Sequence, residues 1–185
     1  TAIQNYKKAI KINPLHLRAH YNMGIGYKTK GDLERAIACY QQAIEIHPRY
    51  AEAYNNMGTA FSGVSKLEKA LDCFKRAVDI DPTYAEAHHN MGNALRELKK
   101  FEEAIEVYNK ALLLKPNHAE TYCNLGISLH GLGKLEEAVD SYNMALSIKP
   151  NFASALFGLG VTFEGQGKLE EAIINFKHVL AIEPD

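Results

Sequence analysis

Residues 51–84 read AEAYNNMGTAFSGVSKLEKALDCFKRAVDIDPTY, and the pattern of this stretch recurs along the chain every 34 residues. Proline marks the recurrence most clearly. All six prolines lie 34 residues apart, at Pro14, Pro48, Pro82, Pro116, Pro150 and Pro184. A strict period of this length predicts one supersecondary unit that is copied along the chain and stacked on its neighbours.

Proline at position 32 of a 34-residue register defines the repeats. A half repeat, 1–16, precedes complete or nearly complete repeats at 17–50, 51–84, 85–118, 119–152 and 153–185. No linker is left over, so we predict a single domain, 1–185. Neither end carries a polar capping helix, which a stacked array needs over its terminal apolar face. We therefore expect a slice of a longer array, or self-association through the uncapped ends.

Each unit is predicted to be a helix, a short turn and a second helix. Ala36, Tyr40 and Ala43 follow the spacing of one helical face. The turn before them contains Gly31, and Asp32 is placed to cap the second helix. The proline then stops the unit, because it cannot continue a helix and restricts the residue before it.

Small and aromatic residues recur in fixed columns of this register. Position 8 is glycine in Gly24, Gly58, Gly92, Gly126 and Gly160, and position 24 is aromatic in Tyr6, Tyr40, Phe74, Tyr108, Tyr142 and Phe176. Glycine inside a helix costs about 1 kcal/mol relative to alanine. We expect it to permit close approach of two helices, facing the position-20 alanine while the aromatic ring fills the gap beside them.

Glycine at position 8, alanine at 20 and 27, an aromatic residue at 24 and proline at 32 resemble the tetratricopeptide repeat family over the whole chain. The resemblance implies an all-α, right-handed superhelical solenoid of antiparallel helix pairs. It also implies that the first helices line a concave groove, which commonly binds extended peptides or partner helices. One departure is that Ser65 and Lys99 replace the turn glycine.

Composition excludes several classes of function. The formal net charge of −1 offers no basic surface for nucleic acid. No apolar run of 18 residues and no signal-peptide pattern occur, so we predict no membrane association. Cys39 and Cys73 lie one repeat apart, about 10 Å, which is too far for a disulfide. Free thiols favour a reducing cytoplasmic or nuclear location.

No catalytic, metal or cofactor site is predicted in this segment. The Gly-Lys pairs at 133–134 and 167–168 suggest a phosphate loop, but neither has the glycine that this loop requires five residues earlier. His16 and His20 are four residues apart, as metal ligands on a helix can be, yet no third ligand lies near in sequence. We predict that this segment is not an enzyme.

Asparagine recurs at position 6, in Asn22, Asn56, Asn90 and Asn124. It is a poor helix former, so its recurrence within four first helices favours a specific role. Its amide can hold a peptide backbone through a donor and an acceptor at once. A spacing of about 10 Å would match three extended peptide residues. Alternatively, each asparagine bonds a neighbouring helix and tunes the superhelix. A similar asparagine ladder occurs in O-linked N-acetylglucosamine transferases.

Positions 2, 5 and 9 are predicted to face the same groove as this ladder. The further candidate peptide-binding residues are Glu52, Glu86 and Glu120 at position 2; Tyr21, Asn55, His89, Cys123 and Phe157 at position 5; and Asn93, Ile127 and Val161 at position 9. The glutamates at position 2 predict an acidic stripe across the middle repeats, and Cys123, Ile127, Phe157 and Val161 predict an apolar anchor near the last two repeats. We therefore predict a ligand with polar or basic residues at its centre and an apolar residue at that anchor. Ordinary solvated surface is the alternative.

The sequence therefore predicts a protein–protein interaction scaffold that binds an extended peptide or partner segment. The alternative is the substrate-recognition arm of a larger enzyme, such as a glycosyltransferase similar to the O-linked N-acetylglucosamine transferases. Family members that bind chaperone C-termini use a carboxylate clamp. In the first possible window Glu86 stands where the clamp needs a lysine, so we expect no such binding.

Overall fold

The computed structural model describes residues 2–184, and the regular secondary structure in this range is entirely α-helical. The all-α fold predicted from the sequence is confirmed. The helices of the described range are α1 (Ala2–Ile12), α2 (Leu17–Thr29), α3 (Leu33–Ile46), α4 (Ala51–Gly63), α5 (Leu67–Ile80), α6 (Ala85–Glu97), α7 (Phe101–Leu114), α8 (Ala119–Gly131), α9 (Leu135–Ile148), α10 (Ala153–Gly165) and α11 (Leu169–Ile182).

The chain divides into two compact units, one up to Ala94 and one from Leu95 onward. In the first unit α1 packs on α2, α2 on α3, α3 on α4 and α4 on α5, and the first helices α2 and α4 also touch. In the second unit α7 through α10 each pack on the next helix, and α8 and α10 touch. Each unit thus places first helices side by side. We call the surface that they share the first-helix face of that unit.

The aromatic ring at position 24 lies directly against the glycine at position 8 of the same repeat. A Cβ atom placed at Gly24 would lie 2.6 Å from the Tyr40 ring, and one at Gly126 would lie 2.7 Å from the Tyr142 ring. Phe74 faces Gly58 and Phe176 faces Gly160 in the same way. The nearest neighbours of this glycine are therefore ring carbons, and the predicted contact with the position-20 alanine stays a prediction.

The turn between the two helices of a repeat uses a left-handed residue. Gly31, Gly133 and Gly167 have φ angles of 78°, 74° and 76°. Ser65 and Lys99 adopt the same conformation, with φ of 58° and 59°. The tertiary packing therefore imposes the turn on residues whose Cβ atom disfavours it.

Helix starts are stabilised in two ways. Asp32 caps α3, since its Oδ1 accepts a hydrogen bond from the backbone N–H of Arg35 at 3.2 Å, and this confirms the sequence prediction. The later second helices begin after a lysine whose side chain makes no capping bond. Each of these helices has one or two glutamates in its first turn, where the helix dipole favours negative charge.

Two buried histidines at position 4 connect a first helix to the connector before it. The Nε2–H of His20 donates to the carbonyl oxygen of Pro14 at 2.8 Å, and that of His88 donates to the carbonyl of Pro82 at 3.0 Å. A carbonyl can only accept, so the ring nitrogen is the donor. One of the two ring nitrogens of each histidine is therefore used in this contact.

We expect Gly126→Ala to destabilise the second unit. Its Cβ would displace the Tyr142 ring, and such overpacking costs about 1–3 kcal/mol, against a helix-propensity gain of about 1 kcal/mol. Gly165→Ala is the matched control, since its Cβ would meet only Leu135 Cδ1 at 3.9 Å. Urea unfolding should show opposite signs for the two variants. A Gly126→Ala protein at least as stable as wild type would contradict the ring–glycine contact.

We expect Ser65→Gly and Lys99→Gly each to raise the free energy of unfolding by about 0.5–1 kcal/mol. The left-handed conformation costs a non-glycine residue about 1–2 kcal/mol, and the added freedom of glycine in the unfolded chain offsets part of the gain. The reverse change, Gly133→Ala, should destabilise. Thermal and urea unfolding measure all three, and a loss of stability in the two glycine variants would show that their left-handed turns are unstrained.

Candidate functional site

Asn56 is held between two side chains of the preceding first helix. Its Nδ2 donates to the Tyr21 hydroxyl at 2.8 Å, and its Oδ1 accepts from Lys28 Nζ at 2.8 Å. A side-chain amide has two N–H donors and two acceptor lone pairs. These contacts therefore fix the orientation of the half-buried amide and leave one donor and one acceptor position unused by them.

Asn90 forms a hydrogen bond with Asn55, the residue next to Asn56. Its Nδ2 donates to Oδ1 of Asn55 at 3.0 Å. Asn55 in turn donates to the Tyr84 hydroxyl at 3.2 Å and to the Glu86 carboxylate at 3.4 Å. Asn55 is only 1% exposed. Its side chain links α4 to the start of α6 and is not presented on the first-helix face.

The remaining ladder residues lie in both units. Asn22 is half-buried on α2, and Asn124 is half-buried on α8 in the second unit. The hydrogen bonds of Asn56 and Asn90 go to neighbouring first helices. Such inter-helix bonding is the alternative to ligand binding that the sequence leaves open. The ligand-binding role of the ladder stays a prediction.

The first unit carries negative charge beside its tyrosines. Glu52 and Glu86 are exposed in the first turns of α4 and α6. Burial raises the pKa of Tyr84 to about 12, with Glu86 and Glu52 adding to the effect. Burial and the charge of Glu52 also raise the pKa of Tyr21. Both carboxylates thus act on the same pair of hydroxyls, while Arg18 and Lys28 bring positive charge to the neighbouring Tyr50 and Asn56.

In the second unit, Glu120 is exposed and has a lysine and a histidine as neighbours. Its carboxylate lies 4.0 Å from Lys149 Nζ and 3.9 Å from His118 Nε2. The negative field at Glu120 is therefore reduced by Lys149. The acidic stripe predicted from the sequence is not electrostatically uniform.

Two further candidates, His89 and Asn93, bond each other one turn apart on α6. Asn93 Nδ2 and His89 Nε2 are 3.1 Å apart, and both residues are half-buried. An amide N–H is a donor only, so the histidine nitrogen accepts. The pair is oriented by its own contact on the first-helix face.

Three of the four predicted apolar anchor residues come together in the second unit. Ile127, Phe157 and Val161 line one cavity of about 510 Å³ between α8 and α10. Cys123 does not line it and is only 2% exposed. Position 5 therefore does not face one surface in every repeat, since Cys123 points into the core and Phe157 is 56% exposed.

Sequence reasoning missed the residues at position 34, the last before each first helix. The ring centroid of Tyr50 lies 4.9 Å from that of Tyr21, and Tyr84 accepts the bond from Asn55. A regular signal was available, since position 34 carries a ring each time in His16, Tyr50, Tyr84, His118 and Phe152. Gly158, which takes position 6 in the repeat after that of Asn124, also lines the cavity.

The three cysteines are free and buried. Burial raises the pKa of Cys39 to about 11, that of Cys73 to about 12 and that of Cys123 to about 11. Within residues 2–184, no cluster of three histidine, cysteine or acidic side chains is arranged to hold a metal ion. In the same range, no helix has the length and apolar character needed to cross a bilayer.

Three family models match the chain. A tetratricopeptide repeat model matches residues 83–151, a TPR repeat model matches 26–63 and 65–95, and a second tetratricopeptide repeat model matches 124–185. Together these matches span 26–63 and 65–185. No protein with curated annotation matches the chain.

Solved structures also match. A crystal structure of MamA is 29% identical, with a TM-score of 0.81 over 86% of this chain and 94% of that one. YrrB, described as a TPR protein with an unusual peptide-binding site, is 26% identical, with a TM-score of 0.81 over 97% and 93%. MamA 41-end from Desulfovibrio magneticus RS-1 is 19% identical, with a TM-score of 0.84 over 90% and 94%, a likeness of fold alone.

The 34-residue register, the ring–glycine contact and these matches agree with one another. The chain therefore belongs to the tetratricopeptide repeat family, as an all-helical solenoid of the kind that serves as a scaffold for protein interactions.

Proposed function

We propose that this array binds an extended polypeptide segment along its first-helix faces. The observation that carries the proposal is the environment of Asn56. Its amide is oriented by Tyr21 and Lys28 through two 2.8 Å bonds and keeps one donor and one acceptor position. Such a group can bond the N–H and C=O of a peptide backbone whatever the peptide's side chains are.

The carboxylates near Tyr21 favour a particular kind of segment, while Lys28 places one positive charge at the Asn56 amide itself. Glu52 and Glu86 are exposed, and both carboxylates interact with Tyr21. A lysine or arginine on the ligand would be attracted to this surface, while an acidic residue would be repelled. We therefore propose that the part of the ligand at the first unit is polar or basic. YrrB, as a tetratricopeptide protein with a peptide-binding site, supports peptide recognition on this fold.

The setting of this binding follows from the thiols. Cys39, Cys73 and Cys123 are free and buried, and free thiols persist in reducing compartments. We propose that the protein works in the cytoplasm or nucleus.

Replacing Asn56, Asn90 and Asn124 together with alanine should weaken peptide binding. A lost hydrogen bond contributes about 0.5–1.5 kcal/mol, so one lost ligand bond at each site would reduce affinity by roughly tenfold or more. A peptide array probed with wild type and with the triple variant measures the effect. The matched control replaces three exposed asparagines on second helices of the repeats: Asn5 on α1, Asn109 on α7 and Asn143 on α9.

Unchanged binding by a folded triple variant would assign the ladder to inter-helix bonding alone. Because Asn56 also bonds Tyr21 and Lys28, the thermal unfolding of each variant is recorded beside the binding data. Equal loss of binding in the control triple would show a non-specific effect of asparagine removal.

A further inference from the structure

The cavity of the second unit is lined mostly by apolar side chains and by a few polar groups. It is lined by Ile127 and His130 of α8, Tyr142 of α9, Ala153, Ser154, Phe157, Gly158 and Val161 of α10, and Val179 and Glu183 of the last helix and its end. Its volume of about 510 Å³ lies within the range of about 300–1,000 Å³ typical of ligand pockets. All of these residues belong to one compact unit.

Gly158 lines the cavity at position 6, where the four preceding repeats carry asparagine. A Cβ atom placed there would lie 2.6 Å from ring carbons of Tyr142 and 2.8 Å from its hydroxyl oxygen. Gly126 contacts the same ring from α8, with a placed Cβ at 2.7 Å. The Tyr142 ring is thus enclosed by two glycines, and it lines the cavity where an asparagine side chain would otherwise lie over it.

The walls favour an aromatic guest. The ring of Phe157 is 56% exposed, and its centroid lies 5.7 Å from that of Phe176, which holds it in place. Tyr142 also lines the cavity, but it is only 2% exposed, so Phe157 offers the accessible ring. An edge-to-face or offset contact with the Phe157 ring stabilises an aromatic side chain beyond the area that it buries. An aliphatic side chain would be stabilised by the burial of its apolar surface alone.

The polar lining favours a basic residue beside that guest. His130, Ser154 and Glu183 are polar groups of the lining, and among the described lining residues there is no lysine or arginine. Glu183 is therefore the acidic residue of the lining, and it is exposed at the end of α11. A cation on the ligand can pair with it, whereas a second carboxylate would be repelled.

We propose that this cavity receives an aromatic side chain of the bound peptide and that Glu183 pairs with a basic residue next to it. The inference rests on the proposed function, since it names the part of the peptide that the second unit recognises. Phe157 contacts the ring, and Ile127, Val161 and Val179 exclude water around it. Glu183 supplies the preference for the neighbouring lysine or arginine.

The test uses a positional array of nine-residue peptides with degenerate flanks. The central residue is Trp, Phe, Leu, Ala or Asp, and its neighbour is Lys, Gln or Glu. Wild type should retain peptides with a central Trp or Phe and a neighbouring Lys most strongly. Phe157→Ala should reduce affinity for them by about fivefold or more and leave central-Ala peptides unaffected. Glu183→Gln should remove the preference for Lys over Gln, an effect of about two- to fivefold that salt weakens.

Leu113→Ala is the matched control, because Leu113 is 82% exposed on α7 of the same unit and does not line the cavity. It should leave every affinity unchanged. Phe157 is itself more than half exposed, so its replacement leaves the fold intact. Peptide binding without preference for a central aromatic residue would overturn the cavity proposal while leaving the proposed function in place. Binding of no peptide in the array would overturn both.

Discussion

The contact between the position-24 ring and the position-8 glycine is the constraint on which the other features depend. Glycine is the residue that lets a ring such as Tyr40 approach the backbone at Gly24, where a placed Cβ would lie only 2.6 Å away. This contact joins the two helices of a repeat. Since it recurs at 34-residue intervals, the first helices of each unit come to lie side by side. The polar network of the first unit and the cavity of the second are both built on the faces that result.

The general fold could be predicted from the sequence because its determinants are local and periodic. Proline spacing, helical apolar spacing and the Asp32 cap are visible within one repeat, and the structure confirms the cap and the all-helical fold. The sequence did not show which side chain lies nearest to each position-8 glycine. Positions 20 and 24 lie one turn apart on the same helix face, so sequence spacing alone does not say whether the alanine or the ring comes closer to Gly24.

The candidate site was less predictable, because its contacts join different repeats. Asn55 and Asn56 are adjacent, yet one is buried against Tyr84 and Glu86 and the other is half-buried against Tyr21 and Lys28. The position of a residue within the repeat does not show which neighbouring side chain forms a hydrogen bond with its amide. The apolar anchor was partly predictable, since three large apolar residues share the last two repeats. The cavity itself is also lined by Gly158, where the four preceding repeats carry asparagine.

The buried thiols have a practical consequence for studying such an array. Cys39, Cys73 and Cys123 are shielded from solvent, and their raised pKa values, about 11 to about 12, keep them protonated at neutral pH. Maleimide and related electrophiles react with an accessible thiolate. A single cysteine introduced on an exposed helix position would therefore be labelled selectively against this background. Spectroscopic reporters can be attached site by site without first removing the native cysteines.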